Sequence, residues 1–272
     1  MTVRSESDYL PYISKLQSVS FRIDNNVLEF LTNNWNKLIE NRLVSDADYI
    51  GINSDSFVSE LKNHVDFNYR TLLKEVLIES QKARNEQNVL LLAKSYSGYD
   101  LYFPAFQDFR GRIYRTGIFN LHECDLYRSL LVFQSESQFR KLSCCEIPSS
   151  IKVATAKRYS SSFQRDEDSI KWFDQWYSNL KDRDIDEYVI ESMKTAKDPF
   201  QFMRKALLTL KGGCFESEPI FMDASSSAYQ IMAYLLQDTK IAFQTNLIKG
   251  DKRNDLYMIL REDYLKYLRD AS

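Results

Sequence analysis

One acidic residue, Asp223, follows a short apolar run and precedes three consecutive serines. Residues 220–222 have the composition of a buried strand, and one of the serines can cap the helix predicted after them. An aspartate held between a strand and a helix presents its carboxylate to a divalent cation without further ordering of the chain. Turns and helix caps also commonly use aspartate, so this feature alone leaves both interpretations open.

A second group of chemically capable residues lies between positions 102 and 114. Arg110 and Arg112 are forked donors that suit phosphates, and Asp108 can hold one of them in place. Gly111 between them permits a turn or a close approach of the backbone. Four aromatic residues of this segment can stack on bases or fill a core: Tyr102, Phe106, Phe109 and Tyr114. The alternative for the whole segment is a buried Asp–Arg pair that braces a turn.

Together, the two segments resemble the single-subunit DNA-dependent RNA polymerases of the bacteriophage and mitochondrial type. Residues 108–114 are similar to the D-x-x-G-R element of that family. Residues 222–230 resemble its motif A, which carries the first catalytic aspartate, and are closest to polymerases of linear mitochondrial plasmids. Weaker similarities extend the resemblance over nearly the whole chain, at residues 16–24, 119–120, 125–131, 198–202, 246–247 and 255–257.

The resemblance implies a DNA-directed RNA polymerase that uses ribonucleoside triphosphates, a DNA template and an RNA product. It implies that Asp223 is catalytic and binds Mg²⁺ in a two-metal site, assisted by the carbonyl oxygen of Ala224. Tyr114 and Gln230 are expected to support the site. The residues expected at the template or the hybrid are Asp108, Arg110, Gly111 and Arg112.

The sequence departs from the family's pattern at several points. Ala224 stands where a glycine is usual, and Ile231 stands where a histidine is usual. The family's nucleotide-handling lysine and tyrosine, and its second catalytic aspartate, are expected beyond Ser272. We therefore expect an internal or truncated piece of a polymerase that is catalytically inactive alone.

Two other functions are compatible with parts of this pattern. A family A DNA polymerase also has an aspartate at this strand end, although its motif A usually carries a tyrosine and a glutamate that select deoxyribose. The serines at 225–227 and the D-x-x-G-R element favour the RNA enzyme. The other alternative is a degenerate, plasmid-derived remnant that at most binds nucleic acid.

The composition predicts a mainly α protein with a small β component, an α+β fold. The 272 residues include 17 Phe and 17 Tyr but only 7 Gly and 5 Pro, which argues against a loop-rich or all-β chain. The formal net charge of −2 gives no global basic field that would indicate nucleic acid. The four cysteines lack C-x-x-C spacing, and His122 and Cys124 have no second pair nearby, so a zinc site is not predicted.

The resemblance also predicts domains and a location. Residues 1–100 correspond to the helical pre-thumb and thumb of a right-hand polymerase. Residues 101–272 correspond to a partial palm, with a helical insertion at about 135–217 and motif A at 219–238. No apolar run is long enough to span a membrane. The resemblance implies a mitochondrial protein. Because the amino terminus carries acids where a transit peptide carries arginines, we expect it to be encoded inside the organelle or on a plasmid, or to have lost its leader by truncation.

Helical periodicity predicts which residues pack and which cations face outward. Leu72, Val76 and Leu77 share one apolar side of a long helical stretch, and a further helical segment ends near Gly98. Two groups of cations are candidates for phosphate contacts, with a solvated helix face as the alternative for both. The thumb group is Lys62, Arg70, Lys74, Lys82 and Arg84, and the group ahead of motif A is Arg204, Lys205 and Lys211.

Two apolar groups complete these predictions. The first is an aromatic group expected to pack in the core, formed by Trp172, Phe173, Trp176 and Tyr177. The second is one apolar face of the helix that follows the serines, formed by Ala228, Ile231, Met232 and Leu235.

Overall fold

The computed structural model describes residues 10–46, 69–117, 119–134, 147–163, 165–181, 183–211, 219, 226–248, 250 and 254–270. These residues are mostly helical and form two small antiparallel sheets, which confirms the α+β prediction. Asp223 and Ala224 lie outside the described ranges.

The helices within those ranges are α1 (Leu10–Gln17), α2 (Asn25–Glu40), α3 (Tyr69–Tyr96), α4 (Asp125–Ser129), α5 (Ser149–Tyr159), α6 (Asp166–Ser178), α7 (Ile185–Met193), α8 (Pro199–Leu210), α9 (Ser227–Leu236), α10 (Thr239–Gln244) and α11 (Leu256–Asp270). The strands are β1 (Phe21–Ile23), β2 (Ala105–Gln107), β3 (Ile113–Arg115) and β4 (Leu131–Phe133). Strand β1 pairs with β4, and β2 pairs with β3.

Helix α8 lies at the centre of the helical body and packs against α2, α4, α5 and α7. The carboxylate of Asp125 accepts hydrogen bonds from the backbone N–H groups of Phe200 (2.7 Å) and Gln201 (3.3 Å) at the start of α8. Burial raises the pKa of Asp125, and these two donors oppose that rise. A side chain of α4 therefore caps the first turn of α8 and joins the two helices.

The aromatic group of α6 packs in the core, as predicted. Phe173 and Trp176 are buried, and the ring of Trp176 meets that of Phe202 edge-on at 5.5 Å. Tyr177, predicted as part of the same group, is exposed because it lies on the other side of α6. Phe173 and Trp176 therefore contribute to the core, whereas Tyr177 lies in solvent.

The prediction that α8 presents cations to phosphates or to solvent is wrong for Arg204 and Lys205. Both are buried, with Arg204 only 2% exposed. Arg204 donates to the carbonyl oxygen of Leu131 at 2.9 Å and lies 3.8 Å from the carboxylate of Asp24. The reason is that neighbouring helices enclose α8, so its polar side faces backbone carbonyls instead of water. Lys211, at the end of the helix, pairs with Asp186 at 2.8 Å.

Helix α3 is a single element of 28 residues, where the sequence predicted two helical segments. It ends ahead of Gly98, which has a positive φ of 87°. Leu77, predicted on the apolar side, is exposed, and the side chains of Leu72 and Val76 fall outside the described residues. Lys74 and the two other described thumb cations, Lys82 and Arg84, are exposed. The predictions for Lys62 and for the side chain of Arg70 fall outside the described residues.

Helices α9 and α10 pack on each other near the carboxyl end of the chain. The predicted apolar face of α9 is exposed, since Ile231, Met232 and Leu235 all lie in solvent and Ala233 is the residue of this helix that is buried. Helix α11 likewise exposes tyrosine and leucine side chains along its length. Within the described ranges, no helix combines the length and the apolar character needed to cross a bilayer.

Candidate nucleic-acid interface

Strands β2 and β3 form a hairpin whose turn is built by Asp108. One oxygen of its carboxylate accepts the backbone N–H groups of Arg110 (2.9 Å) and Arg112 (2.8 Å), and the other accepts Nε of Arg110 (3.1 Å). The N–H of Gly111 donates to the carbonyl oxygen of Asp108 at 2.9 Å. Gly111 has a φ of 84°, which suits a type I turn that closes with a left-handed glycine. Each defined residue of the D-x-x-G-R sequence therefore has a role in this turn. Asp108 accepts the hydrogen bonds, Gly111 adopts the left-handed conformation, and Arg112 donates its backbone N–H to Asp108.

The same contacts fix the charge of Asp108. Burial alone raises the pKa of this carboxyl, but the N–H of Arg112, the guanidinium of Arg110 and the N–H of Arg110 together lower the pKa below its ordinary value of 3.8. The carboxylate is therefore ionised, and its bonds to the turn are charge-assisted.

The alternative interpretation, a buried Asp–Arg pair that braces the turn, is correct about the pairing and wrong about the burial of the arginine. Asp108 and Arg110 do pair and brace the turn, yet the Arg110 side chain is 54% exposed. Phe109, between them, is 95% exposed, and the Arg110 guanidinium lies 5.3 Å from the centre of its ring. A fully exposed phenylalanine contributes nothing to a core, so this turn presents an aromatic face and a guanidinium to solvent together.

The strands of the hairpin carry an aromatic pair behind the turn. Phe106 and Tyr114 are directly opposite in the β2–β3 register, and their rings stack at 5.8 Å with 27° between planes. Such cross-strand pairs stabilise two-stranded sheets. Tyr114, predicted as a supporting residue, therefore stiffens the hairpin, while Phe106 and Tyr102 are exposed.

Arg115 attaches the hairpin to the rest of the molecule. Its guanidinium lies 5.3 Å from the ring centre of Phe21 and donates to the carbonyl oxygens of Leu16 (3.4 Å) and Phe103 (3.5 Å). Burial lowers the pKa of Arg115. Gln17 of α1 also donates to the carbonyl oxygen of Ala105 at 3.1 Å. The base of the hairpin is thus fixed, which gives the turn a defined position.

Beside the hairpin lies an open cleft of about 740 Å³. Its lining residues are Arg112, Ile113, Tyr114, Arg115, Asn120, His122 and Glu123. The Arg112 side chain forms no ion pair with any residue that the structure describes. Unlike the cations of α8, it is available to a ligand.

Two buried residues, Phe119 and Asn120, stabilise the loop that contributes His122 and Glu123 to the cleft. Asn120 donates to the carbonyl oxygen of Gly117 at 2.6 Å and accepts the backbone N–H of His122 at 2.7 Å. Phe119 is buried against Tyr127, with ring centres 6.4 Å apart. The sequence did not predict His122 at this site, because the nearest signal was the weak similarity at residues 119–120.

Part of the predicted motif A lies within the described residues, from Ser226 onward. Helix α9 begins at Ser227, which confirms that a helix starts within the serine run. Ser226 occupies the cap position with a φ of 58°, but its side chain makes no capping hydrogen bond, so the predicted serine cap is absent at this residue. Gln230 donates to the carbonyl oxygen of Thr245 at 2.8 Å and joins α9 to the end of α10.

The metal site stays a prediction. The strand expected before Asp223 and the surroundings of its carboxylate concern residues outside the described ranges. Among the residues that are described, no three His, Cys, Asp or Glu side chains converge in a way that could hold a metal ion.

No protein-family model matches the chain. A probable DNA-directed RNA polymerase of Zea mays is 28% identical over 289 residues, which cover 95% of this chain and 26% of the relative. A probable DNA-directed RNA polymerase of Agaricus bitorquis is 24% identical over 265 residues, covering 90% of this chain and 22% of the relative. This chain resembles DNA-directed RNA polymerases over nearly its whole length. It spans about a quarter of the length of these curated relatives.

The predicted resemblance is therefore confirmed, and it is consistent with an RNA polymerase of the phage or plasmid type. Because the aligned region covers 95% of the chain, the polymerase similarity includes both the hairpin segment 108–114 and the motif A segment 222–230. The hairpin that presents free arginine and aromatic groups thus belongs to a polymerase-like sequence.

Proposed function

We propose that this chain is part of a DNA-directed RNA polymerase and that the β2–β3 hairpin contacts the template strand or the template–product hybrid. The observation that carries the proposal is the exposed turn at 108–112, which lies inside a region similar to two probable RNA polymerases. Arg110 and Arg112 bind phosphates, and Phe109 stacks on a base. This combination of cation and exposed ring is typical of single-strand binding surfaces.

The hairpin suits this role because it is ordered before it binds. Asp108 fixes the backbone of the turn through two hydrogen bonds and holds the Arg110 guanidinium through a third, and Arg115 fixes the base of the hairpin. A preordered surface loses less conformational entropy when a ligand binds. Asp108 therefore acts through the arginines, since an acid placed directly against a phosphate would repel it.

Catalysis in the complete enzyme is proposed to use Asp223 and Ala224. A carboxylate and a backbone carbonyl are the oxygen ligands that suit Mg²⁺. When bound, Mg²⁺ stabilises the attacking and leaving oxygens of phosphoryl transfer. The reaction joins the 3′ oxygen of the RNA to the α-phosphorus of a ribonucleoside triphosphate and breaks the bond to pyrophosphate. The similarity of residues 223–230 to polymerases of mitochondrial plasmids supports a mitochondrial location.

The proposal is tested by nucleic-acid binding. The purified chain is titrated with a fluorescein-labelled single-stranded DNA over a range of salt concentrations, alongside the double variant Arg110→Ala, Arg112→Ala. Each lost phosphate contact on a single strand lowers the slope of log K against log salt by about 0.7, so the double variant loses about 1.4. Arg261→Ala on α11 is the matched control, because Arg261 is also exposed. Equal effects of the two variants would contradict the proposed interface.

A further inference from the structure

We infer that the cleft beside the hairpin holds one nucleotide of a single-stranded nucleic acid and that His122 contacts its phosphate. This inference rests on the proposed function and assigns a residue outside the D-x-x-G-R segment. The cleft volume of about 740 Å³ lies within the range of about 300–1,000 Å³ that is usual for small-ligand sites. It is open, so a strand can enter and leave it.

The charges of the lining select the chemical class of the ligand. Arg112 and His122 both line the cleft, and neither side chain has an ion-pair partner among the described residues. The Arg115 guanidinium, in contrast, lies against the ring of Phe21 below the hairpin. Glu123 contributes one opposing negative charge. A phosphodiester, with a single negative charge, matches this balance better than a free triphosphate, which carries several. Tyr114 and Ile113 supply the apolar wall that a base or sugar contacts.

The loop presents His122 in a fixed position. Its backbone N–H is bonded to the buried amide of Asn120 at 2.7 Å, while its side chain lies in the cleft wall and is exposed. Replacement of this side chain therefore leaves the fold intact. The other ionisable side chains that line the cleft are Arg112, Tyr114, Arg115 and Glu123.

The test compares wild type, His122→Gln, His122→Lys and Glu123→Gln in the full chain. A fluorescein-labelled oligothymidylate is titrated at several salt concentrations at neutral pH. We expect His122→Gln to weaken binding and His122→Lys to steepen the salt slope by about 0.7, because a lysine at this position adds one charged phosphate contact. Glu123→Gln is expected to tighten binding, because it removes the opposing negative charge.

Several outcomes overturn the inference. If His122→Gln binds the oligothymidylate as tightly as the wild type does, His122 does not contact phosphate. If ATP displaces the oligonucleotide as well as unlabelled oligothymidylate of equal concentration does, the cleft is a site for free nucleotides. A loss of binding in Arg112→Ala without any effect of His122→Gln overturns this inference and leaves the proposed function standing. Failure of the wild type to bind at all contradicts both.

Discussion

At the scale of single residues, the hairpin turn depends on the charge of Asp108. Its carboxylate receives three hydrogen bonds within five residues of chain. A carboxyl whose pKa is lowered in the folded state stabilises that state above its unfolded pKa, and this contribution is lost as the pH falls through the lowered value. The turn is therefore fully formed at neutral pH and loosens only in acid.

This gives a spectroscopic prediction. The backbone amide proton of Arg112 is expected to titrate in NMR spectra with a midpoint below pH 3.8, the ordinary value for aspartate. Asp108→Asn removes that titration, because an amide has no charge to lose, and also weakens DNA binding at neutral pH because Arg110 loses its partner. An unchanged Arg112 titration in Asp108→Asn would show that another group controls the turn.

A second carboxylate, that of Glu86, changes the free energy of unfolding with pH in the opposite direction. Glu86 of α3 is buried, and its carboxylate accepts the backbone N–H of Ser45 at 2.7 Å. Burial raises the pKa of Glu86, and the Ser45 bond opposes that rise. The folded state therefore gains from Glu86 below the unfolded pKa, and this gain is lost as the pH rises through the raised value.

Glu86→Gln is thus expected to be stabilising at neutral pH. The amide oxygen still accepts the Ser45 N–H, but no charge is buried, so we expect Tm to rise by about 2 °C at pH 7.5 and to be unchanged at pH 4. Thermal unfolding followed by circular dichroism measures both. Glu79→Gln is the control, since Glu79 is exposed and its carboxylate accepts a hydrogen bond from the Ser45 hydroxyl. A lower Tm at pH 7.5 would mean that the ionised form is the stabilising one.

At the scale of elements, α8 shows how a sequence pattern misleads. Residues 200–207 contain an ordinary amphipathic stripe, but all of them are buried. Periodicity cannot reveal that helices cover the polar side too, because that depends on residues distant in the chain. The starting point of α9, the α+β class and the packing of Phe173 and Trp176 followed from local composition and spacing, and were correct. His122 was missed because its place depends on the Asn120 side chain folding a loop.

The corrected role of Arg204 can be measured. Arg204→Met leaves the Leu131 carbonyl oxygen and the Asp24 carboxylate without this partner, and breaking such a buried contact costs about 3 kcal/mol. Urea unfolding should show this loss, while binding of single-stranded DNA by the folded variant stays at the wild-type level. Weaker DNA binding with unchanged stability would instead restore Arg204 as a phosphate contact.

At the scale of the whole molecule, the net charge of the chain does not indicate whether one part of its surface can bind a nucleic acid. Many cations of the helical body are paired, as Lys152 is with Asp174 and Arg158 with Asp198. A chain with a formal charge of −2 can still hold a nucleic acid where exposed guanidinium groups lie close together, as those of Arg110 and Arg112 do in the hairpin turn. The formal net charge of the whole sequence therefore gives no indication of the positive charge that the arginines place at the hairpin.

The 272 residues alone are expected to lack polymerase activity. A two-metal site needs a second carboxylate to fix both ions, and the chain spans only about a quarter of its curated relatives. The measurement supplies a primed template, Mg²⁺ and labelled ribonucleotides to the purified chain. Primer extension that Asp223→Asn abolishes would show that these residues form a complete catalytic site.

The long helix α3 has a mechanical consequence. Ser80 and Glu86 of this helix are buried, and Glu86 is bonded to Ser45, while Lys74, Leu77 and Ile78 nearer its start are exposed. Tyr69, the first residue of the helix, lies seventeen positions before Glu86, which corresponds to about 26 Å along the helix axis. A rotation of about 10° at the Glu86–Ser45 contact would move that first residue by about 4.5 Å. Such a rotation would therefore displace the start of α3 by slightly more than the spacing between neighbouring bases.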